Sequence, residues 1–204
     1  MGARNLQMIL TIFIVIVLVL VFILYTQSSR NNITSKDVDS LQKKWGNAIE
    51  TMTKTYLNGG DYVKLAEEGL DELYAYNFGE VLFKPTKSTD HPFRDKKHLA
   101  LSYFVGGDVI RNGLKEDKGF AINGGEGWKS VVFKNHKIDL RGDTAIAMGT
   151  YIFTSAKTGE KAKVYYTFGY KRCLDNKIRI FLHHSSLPFT REGVEREKQL
   201  RLSL

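Results

Sequence analysis

The sequence has little cysteine and proline, with one cysteine and three prolines among 204 residues. A single cysteine, Cys173, cannot form an internal disulfide, so the composition excludes a disulfide-stapled scaffold and a cysteine-rich metal protein. Three prolines exclude collagen-like and proline-rich chains. What is present is an ordinary globular composition, 43% hydrophobic and 25% charged. This balance predicts one domain with a substantial core.

The formal net charge is +8 at pH 7. The basic residues are spread along the chain, and no nucleic-acid-binding motif accompanies them. We therefore expect a generally basic solvated surface and no nucleic-acid partner. Attraction to anionic lipid or to an acidic partner is the alternative.

The longest apolar run extends from Met8 to Tyr25 and contains no charged residue. Eighteen helical residues at about 1.5 Å each cover about 27 Å, close to the hydrocarbon thickness of a bilayer. The run predicts an uncleaved signal-anchor within residues 1–30, with a cleaved signal peptide as the alternative. Basic residues after the run outnumber the single Arg4 before it. This predicts a single-pass membrane protein with its domain on the cytoplasmic side.

The next stretch predicts helices followed by a short strand. Apolar residues at helical spacing follow Thr34, which is placed to cap a helix. A second helix is predicted from about Asp61, and a third over Lys96–Phe104. Val81–Thr86 is typical of a short strand, which Pro85 would place at the edge of a sheet.

Four strand-like runs with hairpin-sized connections occupy the last third, at Val131–Leu140, Thr144–Thr154, Ala162–Arg172 and Lys177–Ser185. They predict an antiparallel meander, and so an α+β fold with three helices packed on a curved, mainly antiparallel sheet. Several strands are apolar on both faces, which indicates that something covers the side away from the helices. A second copy of the domain is the predicted partner, giving a homodimer.

This order of elements, ending in HHSSLP at His183–Pro188, resembles the NTF2-like (SnoaL-like) cone fold. The end is also similar to the association domains of calcium/calmodulin-dependent kinases. Blocks such as LYAYNFGEVLFKPTK (Leu73–Lys87) and YTFGYKR (Tyr166–Arg172) resemble small NTF2-like proteins of marine bacteria and phytoplankton. The predicted division of the chain is an anchor at 1–30, an NTF2-like domain at 31–189 and a charged tail at 190–204.

The resemblance implies a pocket between the concave sheet and the helices. Aromatic walls with a few polar groups are typical of small-ligand sites, although they are equally typical of a filled core. The predicted ligand-binding residues are the aromatic wall and one lysine at the mouth: Trp45, Tyr74, Tyr103, Tyr166 and Lys84.

His183 and His184 are the candidate catalytic residues. Neighbours on a strand point to opposite faces, so one of the two should face the pocket, where burial would suit it to act as a general base. For the same reason they cannot hold one metal together, and we expect neither a metal nor another cofactor. The predicted function is a membrane-anchored small-ligand-binding or homodimeric assembly module. The alternative is a cofactor-independent isomerase, dehydratase or hydrolase that uses the pocket histidine.

Overall fold

The structure is a computed structural model that describes residues 2–30 and 32–189, except for the side chains of 3–6 and 23–30. The predicted charged tail at 190–204 lies outside the described residues. The described residues contain four α-helices: α1 Ala3–Arg30, α2 Ser35–Leu57, α3 Tyr62–Leu73 and α4 Lys97–Val105. Short 3₁₀ turns at Gly107–Val109 and Phe120–Gly125 follow α4.

The start of α2 shows how Thr34 and Asp37 cap the helix. The Thr34 hydroxyl accepts a hydrogen bond from the Asp37 backbone N–H, and the Asp37 carboxylate accepts one from the Thr34 N–H at 2.9 Å. This reciprocal pair satisfies two backbone donors that the first turn leaves unpaired. The predicted helix start at Thr34 is confirmed.

The predicted membrane anchor requires a correction. A bilayer span needs about 20 consecutive apolar residues to cover about 30 Å of hydrocarbon. Across the side chains that the structure describes, no helix combines the length and the apolar character that a membrane crossing requires. The signal-anchor predicted at Met8–Tyr25, and with it the single-pass membrane localisation and the cytoplasmic orientation, are therefore wrong.

Five strands lie in the part of the chain that the structure describes: β1 Leu82–Lys84, β2 Trp128–Arg141, β3 Thr144–Ser155, β4 Lys161–Arg172 and β5 Ile178–Ser186. They form one sheet in the order β1-β5-β4-β3-β2. The meander from β2 to β5 is antiparallel, whereas β1 pairs parallel to β5, with Phe83 opposite His183. The predicted α+β class is confirmed, as a mixed five-stranded sheet with helices.

Trp45 on α2 shows how the helices meet the sheet. Its indole lies edge-on to Phe133 of β2 at 5.8 Å, Phe153 of β3 at 6.2 Å and Phe168 of β4 at 6.0 Å between ring centroids. One helix side chain therefore contacts three strands. Packing of this kind is dense and directional, because edge-to-face rings add to the free energy of apolar burial. The core lies between this helix and the inner face of the sheet.

The outer face of the sheet is partly apolar and uncovered in the single chain. Val132, Met148 and Tyr165 are 51%, 55% and 41% exposed. The homodimer predicted to cover this face stays a prediction. Sedimentation of the full chain would test it, and a monomer at high concentration would contradict it.

Candidate active site

A half-open cavity of about 390 Å³ lies beside the edge of the sheet where β1 ends. Three segments enclose it: the loop after β1, α4, and the stretch that leads into the second 3₁₀ turn. The lining residues carry hydroxyl, charged and aromatic groups, namely Thr86, Lys87, Ser88, Thr89, Tyr103, Glu116, Asp117, Lys118, Gly119, Phe120, Asn123 and Gly124.

Glu116 fastens the loop after β1. Its carboxylate accepts hydrogen bonds from the Thr89 hydroxyl at 2.5 Å, the Asp90 N–H at 2.7 Å and the His91 N–H at 3.2 Å. The hydrogen bond from Thr89 is the largest cause of the lowering of the Glu116 pKa to about 2. Burial opposes it, and the bonds from Asp90, Arg94 and His91 lower the pKa further. The carboxylate is therefore ionised at neutral pH.

Arg94 is fully buried and ties the same loop to the opposite wall. Its Nη2 lies 2.7 Å from Asp117 Oδ1 and 3.2 Å from Glu116 Oε1, and its Nη1 donates to the His91 carbonyl. The Ser102 hydroxyl of α4 donates to Asp117 Oδ2 at 2.6 Å. We call Arg94, Glu116, Asp117 and Ser102 the ionic cluster. Because it links the loop to α4, it fixes the width of the cavity.

On the sheet side of the cavity, five buried side chains form a continuous series of hydrogen bonds. The Trp45 Nε1–H donates to Tyr74 Oη at 2.9 Å, and Tyr74 Oη lies 2.7 Å from His183 Nδ1. The other ring nitrogen, His183 Nε2, lies 2.9 Å from Ser185 Oγ. Ser185 Oγ in turn shares a short hydrogen bond with Tyr151 Oη. We call these five side chains the hydrogen-bond chain.

Thr86 connects this chain to the cavity. Burial strongly raises the pKa of Tyr151, and its interactions with Ser185 and Thr86 oppose that effect. Burial also raises the pKa of Tyr103, and its interaction with Thr86 again opposes the effect. Both phenols therefore keep their protons at neutral pH and act as neutral hydrogen-bond donors. Thr86 interacts with both of them and lines the cavity itself.

The His183 imidazole is enclosed by aromatic rings. It is stacked on Phe83, with 4.4 Å between centroids and 13° between planes, and its centroid is 4.0 Å from that of Phe168. Burial, with a smaller contribution from the charge of His184, holds the pKa of His183 well below its ordinary value. The ring is thus neutral at pH 7 and carries one N–H, so one nitrogen donates and the other accepts.

The two candidate histidines lie on opposite faces, as the alternation predicted, and only His183 points inward. A register shift between β4 and β5 explains which one is buried. Gly169 pairs with Leu182 and Tyr170 with Ile180, so Phe181 is the extra residue of a bulge. The bulge reverses the alternation after Ile180. His184 is therefore exposed on the outer face, away from the cavity.

The structure distributes the predicted ligand-binding residues unequally. Tyr103 lines the cavity, whereas Trp45 and Tyr74 belong to the hydrogen-bond chain behind it. Lys84 donates from Nζ to the Ser185 carbonyl at 3.3 Å. Tyr166 is buried, and its hydroxyl donates to Asn135 Oδ1 at 2.5 Å, outside the cavity lining.

The sequence analysis missed Thr86, Tyr151 and Ser185. Ser185 had a usable signal, because it shares a strand face with His183 and is a polar residue facing a core. Thr86 had none, because it comes to the site through the parallel pairing of β1 with β5, which places Phe83 opposite His183. No local pattern in the sequence predicted that pairing.

In the part of the chain that the structure describes, no group of three or more His, Cys, Asp or Glu side chains is arranged to hold a metal ion. The polar groups at the cavity are hydroxyls, two lysines, an asparagine and the carboxylates of the ionic cluster. These groups donate and accept hydrogen bonds around a small polar guest.

Comparison with known proteins assigns a family to this arrangement. A family model described as metal-independent carbonic anhydrase matches residues 36–187. A metal-independent carbonic anhydrase of Nostoc sp. (strain PCC 7120) is 41% identical over 160 residues, which cover 77% of this chain and 75% of the relative.

Solved structures are similar as well. The iota-carbonic anhydrase from a cyanobacterium, complexed with bicarbonate, is 39% identical with a TM-score of 0.73, over 79% of this chain and 96% of that one. An NTF2-like protein from Streptomyces avermitilis described as a putative dehydratase is 15% identical with a TM-score of 0.49, over 76% and 96% of the two chains. The family model names a family that the sequence analysis did not name.

These findings correct the predicted function. A membrane-anchored ligand-binding or assembly module is wrong, because the family model and the 41% identical relative are both described as an enzyme. The sequence analysis offered an isomerase, dehydratase or hydrolase only as its alternative, and it named no carbon dioxide chemistry. With the family model matched from 36 to 187, the chain belongs to the metal-independent carbonic anhydrase family.

Proposed function

We propose that this chain catalyses the reversible hydration of carbon dioxide to bicarbonate, without a metal ion, in the cavity lined by Thr86 and Tyr103. The observation that carries the proposal is that these two residues line a cavity behind which Ser185 and Tyr151 share a hydrogen bond. The family assignment and the bicarbonate complex of the 39% identical cyanobacterial structure support it.

The reaction consumes one water and releases one proton. The water oxygen forms a bond to the carbon of carbon dioxide, one C=O π bond opens, and negative charge spreads over two oxygens. Neutral hydroxyls stabilise that charge when they are held in place before it develops. The lining has four hydroxyl side chains, Thr86, Ser88, Thr89 and Tyr103. We assign this role to Thr86 and Tyr103, because Thr86 interacts with both Tyr103 and Tyr151.

The surroundings suit both the substrate and the product. Carbon dioxide is apolar, and the rings of Tyr103 and Phe120, stacked at 5.2 Å between centroids, offer it an apolar wall. Bicarbonate is an anion, and Lys87 and Lys118 place positive charge on the same lining. The proton lost by the attacking water leaves through the half-open mouth to solvent. Both lysines are exposed, so their attraction for bicarbonate should weaken with salt.

Stopped-flow hydration of carbon dioxide, followed with a pH indicator, tests the proposal. The full chain is treated with a chelator, and its metal content is measured by elemental analysis before the assay. We expect catalysis above the buffer rate with much less than one metal ion per chain. A chelated protein that is folded but leaves the buffer rate unchanged would refute the proposal.

Two hydroxyl deletions locate the activity. Thr86→Val and Tyr103→Phe keep the shape of each side chain while removing its hydrogen-bonding group. Each should lower kcat/KM by about 10-fold to 1,000-fold. Tyr165→Phe on the exposed outer face is the matched control and should keep the wild-type rate. Equal losses in all three variants would move the reaction away from this cavity.

A further inference from the structure

The hydrogen-bond chain has more protons available for donation than it has hydrogen bonds between its members. Each of its five members carries one proton available for donation: the Trp45 indole N–H, the hydroxyls of Tyr74, Ser185 and Tyr151, and one N–H on neutral His183. Four hydrogen bonds join the five groups. One proton is therefore spare, and the direction in which the bonds run decides where it lies.

Trp45 fixes the direction at one end, because an indole nitrogen donates and cannot accept. Tyr74 Oη therefore accepts from Trp45, and two arrangements remain for its own proton. Either Tyr74 donates to His183 Nδ1, or His183 Nδ1–H donates to Tyr74 and the Tyr74 proton is left without an acceptor. Among the described residues, Tyr74 Oη has hydrogen bonds to Trp45 and His183 alone.

Burial selects between the two arrangements. Tyr74 is 2% exposed and packed against the rings of Tyr76, Phe83 and Phe104, so a proton not donated to His183 would lie in an aromatic environment. A buried donor without a partner costs far more than a satisfied one. At the other end of the chain, the spare proton belongs to Ser185 or Tyr151, and Tyr151 interacts with Thr86 of the cavity.

We propose that Trp45 and Tyr74 are positioning residues that hold His183 in the tautomer protonated at Nε2, so that His183 donates to Ser185 and the spare proton is presented at the cavity. The inference rests on the proposed function only for its catalytic consequence. If the proposed function is correct, His183 acts in catalysis as a hydrogen-bond donor to Ser185. This role replaces the general-base role expected from the sequence. Ser185 or Tyr151 then directs its proton toward the substrate side.

Nuclear magnetic resonance of the full chain labelled with ¹⁵N-histidine measures the tautomer directly. Two-bond nitrogen–proton correlations distinguish a protonated Nε2 from a protonated Nδ1. His183→Gln assigns the signal by its loss, and His184→Gln is the matched control on the other face of the strand. We expect His183 to be protonated at Nε2 at neutral pH. A proton on Nδ1 would overturn the inference whether or not the protein hydrates carbon dioxide.

Tyr74→Phe tests the positioning role in the same spectrum. Removing the hydroxyl should shift the Nδ1 resonance of His183 toward that of a nitrogen without a hydrogen bond. Trp45→Phe should shift it in the same direction by a smaller amount, because it releases Tyr74 from its fixed donor. An Nδ1 resonance that does not move in Tyr74→Phe would show that Tyr74 does not position the ring.

Paired substitutions at position 183 separate a donor from a base. A glutamine amide has an oxygen that accepts and an NH₂ group that donates, so it can replace the accepting Nδ1 and the donating Nε2–H of the proposed tautomer. Unlike histidine, it does not take up a proton near neutral pH. We expect His183→Gln to retain kcat/KM within about 10-fold of wild type, whereas His183→Ala loses about 100-fold or more. Equal, large losses in two folded variants would instead support a general base. An Nε2–H signal in a protein without hydration activity would leave the tautomer standing and refute the proposed function.

Discussion

Two groups of side chains beside the cavity differ in how their buried polar atoms are satisfied. We call the hydrogen-bond chain, which lies behind the lining, the neutral wall, and the ionic cluster the ionic wall. On the sheet side, the hydrogen-bond chain from Trp45 to Tyr151 is neutral throughout and is packed among aromatic rings. On the loop side, Arg94 faces the carboxylates of Glu116 and Asp117 at 3.2 and 2.7 Å. The neutral wall can present protons in a set direction, whereas the ionic wall holds a loop in place. We therefore expect the neutral side to affect the rate of the reaction and the ionic side to affect the geometry of the mouth.

The largest effect on stability is expected when the ion pair of the ionic wall is broken. Arg94→Met leaves the buried Asp117 carboxylate without its cation, and removing one partner of a buried pair costs about 3–5 kcal/mol. Lys44→Met is the matched control, because Lys44 and Glu72 form an exposed pair at 3.4 Å with 58% and 59% of their side chains accessible. Exposed pairs contribute about 1 kcal/mol or less. Chemical denaturation of both variants measures the difference, and similar midpoints would contradict the distinction.

The next largest effect is expected from a substitution that interrupts the neutral wall and leaves the ionic wall intact. Ser185→Ala interrupts the hydrogen-bond chain between His183 and Tyr151, and we expect kcat/KM to fall by about 100-fold to 1,000-fold. The free energy of unfolding should fall by about 1–3 kcal/mol, because the deletion leaves the buried His183 Nε2 and Tyr151 Oη without the hydroxyl that both bind. Ser186→Ala, one residue along and on the opposite face, should keep the wild-type rate. Stopped-flow rates and denaturation midpoints of the two variants provide the test.

The pH dependence of stability sharpens the contrast between the walls. The pKa of His183 is lower in the folded than in the unfolded chain, so between those two values the unfolded chain binds more protons. Stability from this residue is present above pH about 6.5 and decreases as the pH falls, by at most about 1.4 kcal/mol per pH unit. His183→Gln should remove this slope and His184→Gln should retain most of it. Thermal melts between pH 5 and 8 measure the slope of stability against pH. An unchanged slope in His183→Gln would show that other groups cause the pH dependence.

The smallest effect concerns the loop. Glu116→Gln retains an amide oxygen but loses the carboxylate that binds Thr89, Asp90 and His91, and about 1 kcal/mol of stability should be lost. Faster hydrogen exchange at the amides of Asp90 and His91 is the specific signature. Glu160→Gln, at an exposed position, should leave those amides protected. Wild-type exchange in Glu116→Gln would show that another group holds the loop.

The fold was more predictable than the site because its signals are local. The alternation of apolar and polar residues along the strands and the cap at Thr34 both depend on residues that are close together in the sequence. The meander and the start of α2 could therefore be predicted. Two features that shape the site are not local. The bulge at Phe181 decided that His183 faces inward, and the parallel pairing of β1 brought Thr86 to the cavity. The ionic cluster joins Arg94 to residues 22 and 23 positions away, a pairing that composition cannot show.

We propose that neutral hydroxyls at this cavity support the hydration of carbon dioxide without a metal ion. Exchange of ¹⁸O between bicarbonate and water at chemical equilibrium, followed by mass spectrometry on chelated full chain, tests it without depending on the buffer. We expect accelerated ¹⁸O depletion in wild type and in Ser186→Ala, and strongly reduced depletion in Ser185→Ala and Thr86→Val. Depletion at the uncatalysed rate in metal-free wild type, restored only when a metal is added, would contradict it.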